Sequence, residues 1–319
     1  MNGDLRQGGS WSTGQRVKND ALWLLASAAI AACRVLSPHA LRRLGEGLGY
    51  AAMALAPGAR RTALGNVARV FPGLTGAERS LLVRRCFAEL GRHLGETVAM
   101  LAHARGARGA CEMNSSLTPP LDPEASAVFH DALRVGRGVL FASAHLGPWE
   151  GVAASIASQG VPMVVLARES YDPRFTRLLA RMREEQGLEV LWRGKPGAAA
   201  RILRTLRRNR VLGVPMDLRS RVPSCNAPFL GHDAPTAIGP ARIALRLRAP
   251  VVVGSAAPRG DGSLVVTATA METEGLAPDD AGARELTRRI NAELSRRILA
   301  LPHAWVWMHE RWATDAPGG

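Results

Sequence analysis

Residues Val135 to Gln159, VGRGVLFASAHLGPWEGVAASIASQ, carry the pattern around which the chain is organised. Gly138 to Ala144 is uncharged and rich in Val, Leu, Phe and Ala, the composition of a short buried strand. Gly147-Pro148 interrupts it, and Pro148 suits the first residue of a helix, where a missing N–H costs nothing. Trp149 to Gln159 continues as a helix of small residues that Gly160 stops. This places His145 in the turn between strand and helix, and Glu150 in the first helical turn. Because His145 precedes the helix, Glu150 can reach back to it, and the helix dipole favours an ionised carboxylate there. A carboxylate bonded to one imidazole nitrogen leaves the other as a proton acceptor, a general base with its orienting partner. A loop histidine bonded to backbone, with Glu150 solvated, fits the same spacing.

The flanking sequence extends the pattern. Apolar runs at Val161–Ala167, Leu188–Trp192, Val211–Met216 and Pro250–Ala256 alternate with helical segments at Arg174–Gln186, Pro196–Arg208 and Ile238–Leu247. Asp261-Gly262 turns a hairpin into Leu264–Ala270, and a last helix spans Ala283–Leu301. Alternation of this kind predicts an α/β fold with a mixed, mostly parallel sheet flanked by helices. In such sheets ligands bind beyond the carboxyl ends of the strands, where His145, Arg168 and Asp217 all fall. Arg168 alone also reads as a surface cation, and Asp217 alone as a helix cap.

Ahead of the sheet the pattern is helical. Met1–Asp20 is polar and reads as a mobile tail. Ala21–Cys33 is uncharged and apolar but shorter than the roughly twenty residues a bilayer-spanning helix needs. With Leu41–Pro57 it forms a pair of apolar helices across residues 21–58, suited to lie in a membrane interface with Arg34, Arg42 and Arg43 at headgroup level. A pair of core helices fits equally, and Arg16, Lys18 and Ile30-Ala-Ala-Cys33 also match a lipoprotein signal. Residues 60–100 are helical around a break at Phe71–Thr75, with capping-box spacing from Thr75 to Glu78. Arg105–Pro123 reads as a loop, and Glu124–Leu133 as a short helix.

The net charge is +14, and nearly all the cations are arginines; Lys18 and Lys195 are the two lysines. Such an excess points to an anionic partner: nucleic acid, lipid headgroups or an acidic carrier protein. With two Tyr and six Phe and no interleaved Arg and aromatic strand, there is no stacking platform for single-stranded nucleic acid. No G-x-S-x-G is present, which argues against a serine hydrolase. The four cysteines, Cys33, Cys86, Cys111 and Cys225, lack disulfide or zinc spacing. Gly45-Glu-Gly-Leu-Gly49 lacks the full dinucleotide fingerprint and reads as helix packing.

From about residue 60 onward, four blocks in order resemble the bacterial lipid A biosynthesis acyltransferases (lauroyl/myristoyl type) of the lysophospholipid acyltransferase superfamily. They are Asn66-Val-Ala-Arg-Val-Phe71-Pro72 with Glu78, then His145-x4-Glu150, then Phe229-Leu230-Gly231 with Ala234, Thr236 and Gly239-Pro240, and finally Trp305-x-Trp307-x-His309-x-Arg311-Trp312. The chain departs from the family pattern at Leu230, at Leu218 after Asp217, and at His303-Ala304. The resemblance implies O-acyl transfer from a thioester donor, acyl carrier protein or acyl-coenzyme A, to a hydroxyl of a lipid A precursor or related glycolipid. It implies His145 as general base, Glu150 as its orienting group, Arg168 on phosphate or developing negative charge, and Asp217 orienting Arg168 or the acceptor. No metal or cofactor beyond the thioester co-substrate is implied, and no nucleic-acid partner. The implied location is the cytoplasmic face of the cell inner membrane, with peripheral or shallow attachment. Other glycolipid or lysophospholipid acceptors fit the same scaffold. Replacing Arg204 and Arg208, within a cluster that includes Arg201, Arg207 and Arg210, tests the carrier-protein reading.

Overall fold

A computed structural model describes residues 9–103, 117–219 and 221–313. Cys111 and most of the expected 105–123 loop lie outside the described residues.

Among the described residues the chain opens with four α-helices: α1 (Thr13–Ala32), α2 (Pro38–Leu55), α3 (Pro57–Val70) and α4 (Gly76–His103). The first begins earlier than the expected tail allows. Ser12 Oγ accepts from the Gln15 N–H while Gln15 Oε1 accepts from the Ser12 N–H, a reciprocal capping box that starts the helix at Thr13. The Thr75–Glu78 box caps α4 in the same way.

Gly45 and Gly49 of α2 cross Gly91 and Gly95 of α4, the helix-packing role expected of the first pair. A Cβ at Gly91 would lie 2.1 Å from the Gly45 carbonyl oxygen, and one at Gly45 equally close to that of Gly91. Backbone meets backbone here, so no side-chain rotamer can relieve an added methyl. Gly91→Ala is expected to cost roughly 3 kcal/mol, the upper end of ordinary overpacking, in a urea titration. Gly47→Ala on the open face of α2, where an added Cβ meets nothing, is the control and should leave stability equal or slightly raised.

The α/β part runs α5 (Pro123–Arg134), β1 (Val139–Ser143), α6 (Trp149–Ser158), β2 (Met163–Ala167), α7 (Pro173–Glu185), β3 (Glu189–Trp192), α8 (Ala198–Arg207) and β4 (Val211–Pro215). It continues with β5 (Ser224–Phe229), β6 (His232–Ala237), α9 (Gly239–Leu247), β7 (Val251–Pro258), β8 (Leu264–Met271) and α10 (Asp280–Ala300). The main sheet has the order β3-β2-β4-β1-β7-β8, parallel except for the β7–β8 hairpin. Both faces are buried, which is why the strands read as continuous apolar runs. Leu140, Ala142, Leu212 and Val214 enter one core with α3, α4, α9, α10 and the C-terminal segment. Val139, Phe141 and Val211 alternate into the other, with Phe129 of α5 and Val152 and Ile156 of α6.

The β5–β6 ribbon has no strand signal in the sequence, because Pro228 and Pro235 argue against central strands. It stands as a separate two-stranded ribbon, where such prolines are tolerated. Its turn at Leu230-Gly231 takes φ of 50° and 82°, both left-handed.

Candidate active site

Parallel pairing of β1 with β4 sets Ser143 opposite Pro215, and the Met216 N–H continues the ladder to the Ser143 carbonyl. Two residues further along each strand stand His145 and Asp217. The fully buried Asp217 accepts from His145 twice, from the ring Nδ1 at 3.0 Å and from the backbone N–H at 2.8 Å. Its Oδ2 also accepts from the Trp305 indole N–H at 2.9 Å. This differs from the expected arrangement, in which Asp217 orients Arg168 or an acceptor. Glu150 differs too. It sits in the first turn of α6 as expected, but Arg183 of α7 takes both its oxygens, at 2.6 and 3.0 Å. A guanidinium fork matches a carboxylate bidentately, whereas an imidazole offers one N–H, so Glu150 is captured by the stronger donor.

Burial alone pulls the His145 pKa down. The Asp217 charge, the hydrogen bond to it and the more distant Glu150 charge outweigh that, and the pKa lies above its ordinary value. For Asp217, burial raises the pKa, but the His145 charge and the hydrogen bonds from His145 and Trp305 leave it below the usual range. An ionised Asp217 can only accept, so in the neutral imidazole the proton stands on Nδ1 and Nε2 is the acceptor. Trp149 and the imidazole pack edge-to-face, with 5.3 Å between ring centroids.

The C-terminal segment holds this pair in place. Leu146 and Trp305 form an antiparallel bridge, and the Gly147 N–H donates to the Ala304 carbonyl at 3.0 Å. Gly147 adopts φ of 62°, which suits glycine at the tight exit from the His145 turn. Asn66 of α3 donates to the carbonyls of Trp307 and His309, at 2.8 Å each. The buried Arg311 guanidinium donates to the Pro235 carbonyl and to Thr236 Oγ1, and lies over the Phe229 ring. The blocks that stand far apart in sequence thus form one scaffold beneath Asp217. Cys86 belongs to it, its thiol donating to the Trp305 carbonyl and pushed up to about 12 chiefly by burial, which makes it unreactive.

His145 lines a cavity of about 760 Å³ that opens beyond the carboxyl ends of β1, β2 and β4. Its inner wall is apolar, formed by Leu140, Phe141, Val152, Met163 and Leu212. Gly213 completes that wall, and a Cβ there would come 2.8 Å from Met163 Cε. Around the polar part stand Arg168, Arg183 and Arg193. Burial and then the like charge of Arg168 lower the pKa of Arg193, so an anion between the two would be favoured. His309 also faces the cavity, its pKa lowered chiefly by burial. Among the described residues, no group of three His, Cys, Asp or Glu side chains is arranged to hold a metal ion.

His145, Glu150 and Arg168 all line this one cavity, with Asp217 directly behind His145. Sequence reasoning did not find Arg183, Arg193 or the Trp305 clamp. Arg183 looked like one more cation on an amphipathic surface helix, and Trp305 had only the tail motif to signal it.

A model of the bacterial lipid A biosynthesis acyltransferase family matches residues 12–314. The chain belongs to this family. Its activity is therefore acyl transfer, and the family implies an acyl donor and a lipid acceptor. No individual curated protein matches the chain. The family motifs absorb much of what the geometry contains: the tail block braces Asp217, and the block at Asn66 braces the tail.

Proposed function

We propose that this acyltransferase moves a fatty acyl chain from a thioester to a hydroxyl of a lipid A precursor or related glycolipid, with His145 as general base. The observation that carries the reading is the buried Asp217 carboxylate on His145 Nδ1 at the mouth of a cavity with an apolar inner wall. The acceptor oxygen attacks the thioester carbonyl as its proton passes to His145 Nε2. The tetrahedral intermediate then expels the thiolate, which takes the proton back from the imidazolium, so no acyl-enzyme forms. Asp217 fixes the tautomer and stabilises the imidazolium. The apolar wall suits the acyl chain, and Arg168 with Arg193 suits a phosphate of donor or acceptor. Purified protein given acyl carrier protein or coenzyme A thioesters, with a lipid A precursor and a lysophospholipid in parallel, tests this. Transfer to the lysophospholipid alone would show that the acceptor is misassigned.

Glu150 serves in this reading as a positioning residue for Arg183. Glu150→Gln and Arg183→Met are each expected to lower kcat/KM about tenfold or more, the scale of a lost charge-assisted bond. Because the two act as one unit, the double variant should be no slower than the slower single one. Additive losses would show that Glu150 acts directly on the chemistry.

For the donor, acyl carrier protein is favoured by α8. Arg201, Arg204, Arg207 and Arg208 are exposed, while Arg210 pairs with Glu189 and drops out of the stripe. Ala199 and Ile202 of the same helix line the cavity, so a carrier docked on the stripe stands beside the site. Replacing Arg204 and Arg208 with Glu should slow transfer from the carrier protein about tenfold at low salt, mainly through on-rate, and affect coenzyme A donors less. Equal use of both donors would remove the dock.

For location, the cytoplasmic face of the inner membrane is the fitting site. Leu22, Leu24 and Leu25 of α1 and Leu44 and Leu48 of α2 are exposed, which suits an interfacial position. Among the described residues no helix is long and apolar enough to cross a membrane.

A further inference from the structure

A second cavity, of about 360 Å³, lies between α1 and α7, away from His145. Trp23, Ser27, Ile30 and Ala31 recur along one face of α1 and form one wall; Leu178 and Met182 of α7 form the other. Four arginines surround it. Arg174 is committed, paired with Asp172 at 2.7 Å and Asp20 at 2.6 Å and lying over the rings of Trp11 and Trp23. Together with the Trp23–Phe175 edge contact at 5.2 Å, it latches α1 onto α7. Arg34, Arg177 and Arg181 are exposed, and none enters an ion pair among the described residues. Arg177 and Arg181 stand four apart on α7, so their guanidinium groups project from one stripe. Glu185, one turn beyond, is the one carboxylate that lines the groove.

The geometry points to a binding site for a single anionic phospholipid, its phosphate held by Arg34, Arg177 and Arg181 and a chain along the α1 wall. Two features select this chemistry. Arg34, Arg177 and Arg181 outnumber the two carboxylates nearby, Glu185 in the groove and Asp172, whose charge Arg177 also feels, and this cationic excess favours a phosphate, which guanidinium groups can bind bidentately. The apolar wall beside them suits hydrocarbon, so the ligand is an amphiphile rather than a soluble anion. The inference does not depend on the acyl-transfer reading, because its readout is binding.

The test is native mass spectrometry of the full chain in mild non-ionic detergent with phosphatidylglycerol, with diacylglycerol and inorganic phosphate as separate probes. One phosphatidylglycerol per chain is expected, with retention weakened roughly 30-fold in the Arg177→Ala/Arg181→Ala variant, given the usual contribution of each cation near an anionic headgroup. Both positions are exposed, so the variant should keep its fold, which circular dichroism checks. Phosphatidylglycerol brominated in the chain should quench fluorescence in the wild type, and Trp23→Phe should remove most of that quenching. Equal retention of diacylglycerol would overturn the role of the arginines. Displacement of the lipid by millimolar inorganic phosphate would show a free-anion site and overturn the lipid assignment. Unchanged binding by the double variant, or adsorption to vesicles without a one-to-one complex, would overturn the proposal outright.

Discussion

Replacing His145 with Ala is expected to lower kcat about 10⁴-fold with the fold retained, the upper end of what a positioned general base supplies. The size follows from the proposed mechanism. With no acyl-enzyme, the acceptor hydroxyl must be deprotonated as it attacks, and among the described residues no other group in the cavity is oriented by a carboxylate for that proton. His309 lines the same cavity, but its buried Nδ1 has no hydrogen-bond partner among the described residues and no carboxylate orients it. Asp217 in the His145→Ala protein still accepts from the backbone N–H of residue 145 and from Trp305, so the turn should hold. Thioester consumption and acceptor acylation, measured together, check the result. A folded variant with near-normal turnover would rule out the base.

The second large effect is Asp217→Asn, expected to cost about 10³-fold or more, on the scale of a mis-set catalytic tautomer. Two N–H groups, from the His145 backbone and the Trp305 indole, converge on Oδ2. An asparagine in this space must turn its oxygen to them, which points its NH₂ at His145 Nδ1. Nδ1 must then accept, Nε2 takes the proton, and the base is lost without any change in shape. The pH profile gives a separate readout. Wild-type kcat/KM should rise with pH as His145 loses its proton, with a half-point above the ordinary histidine value because Asp217 and Glu150 raise it. In Asp217→Asn the main raising influence is gone while burial, which lowers the pKa, remains. The half-point of the residual activity should therefore move down. Loss of activity with an unmoved half-point would show that Asp217 acts on something other than His145.

The orienting carboxylate was the least legible feature in the chain. Glu150 stands five residues from His145 and Asp217 stands 72 away, yet Asp217 is the partner. The β1–β4 register brings residues 145 and 217 level, and Trp305, from the far end of the chain, fixes which way the carboxylate faces. The same holds for Arg183, whose pairing with Glu150 depends on how α7 lies beside α6.

By itself the sequence determined what depends on local pattern. The apolar runs became the strands of a parallel sheet, the Thr75–Glu78 box became a helix start, and His145 emerged at the carboxyl end of β1. These are short-range consequences of burial period, capping and chain stiffness, which each segment carries in its own residues. Only the tertiary structure decided the hydrogen-bond partners of His145 and Glu150, the β5–β6 ribbon and the groove between α1 and α7. The two hydrogen-bond pairings and the groove are set by register and packing between residues far apart in the chain, and the ribbon, though local, forms where its prolines need not sit in a central strand.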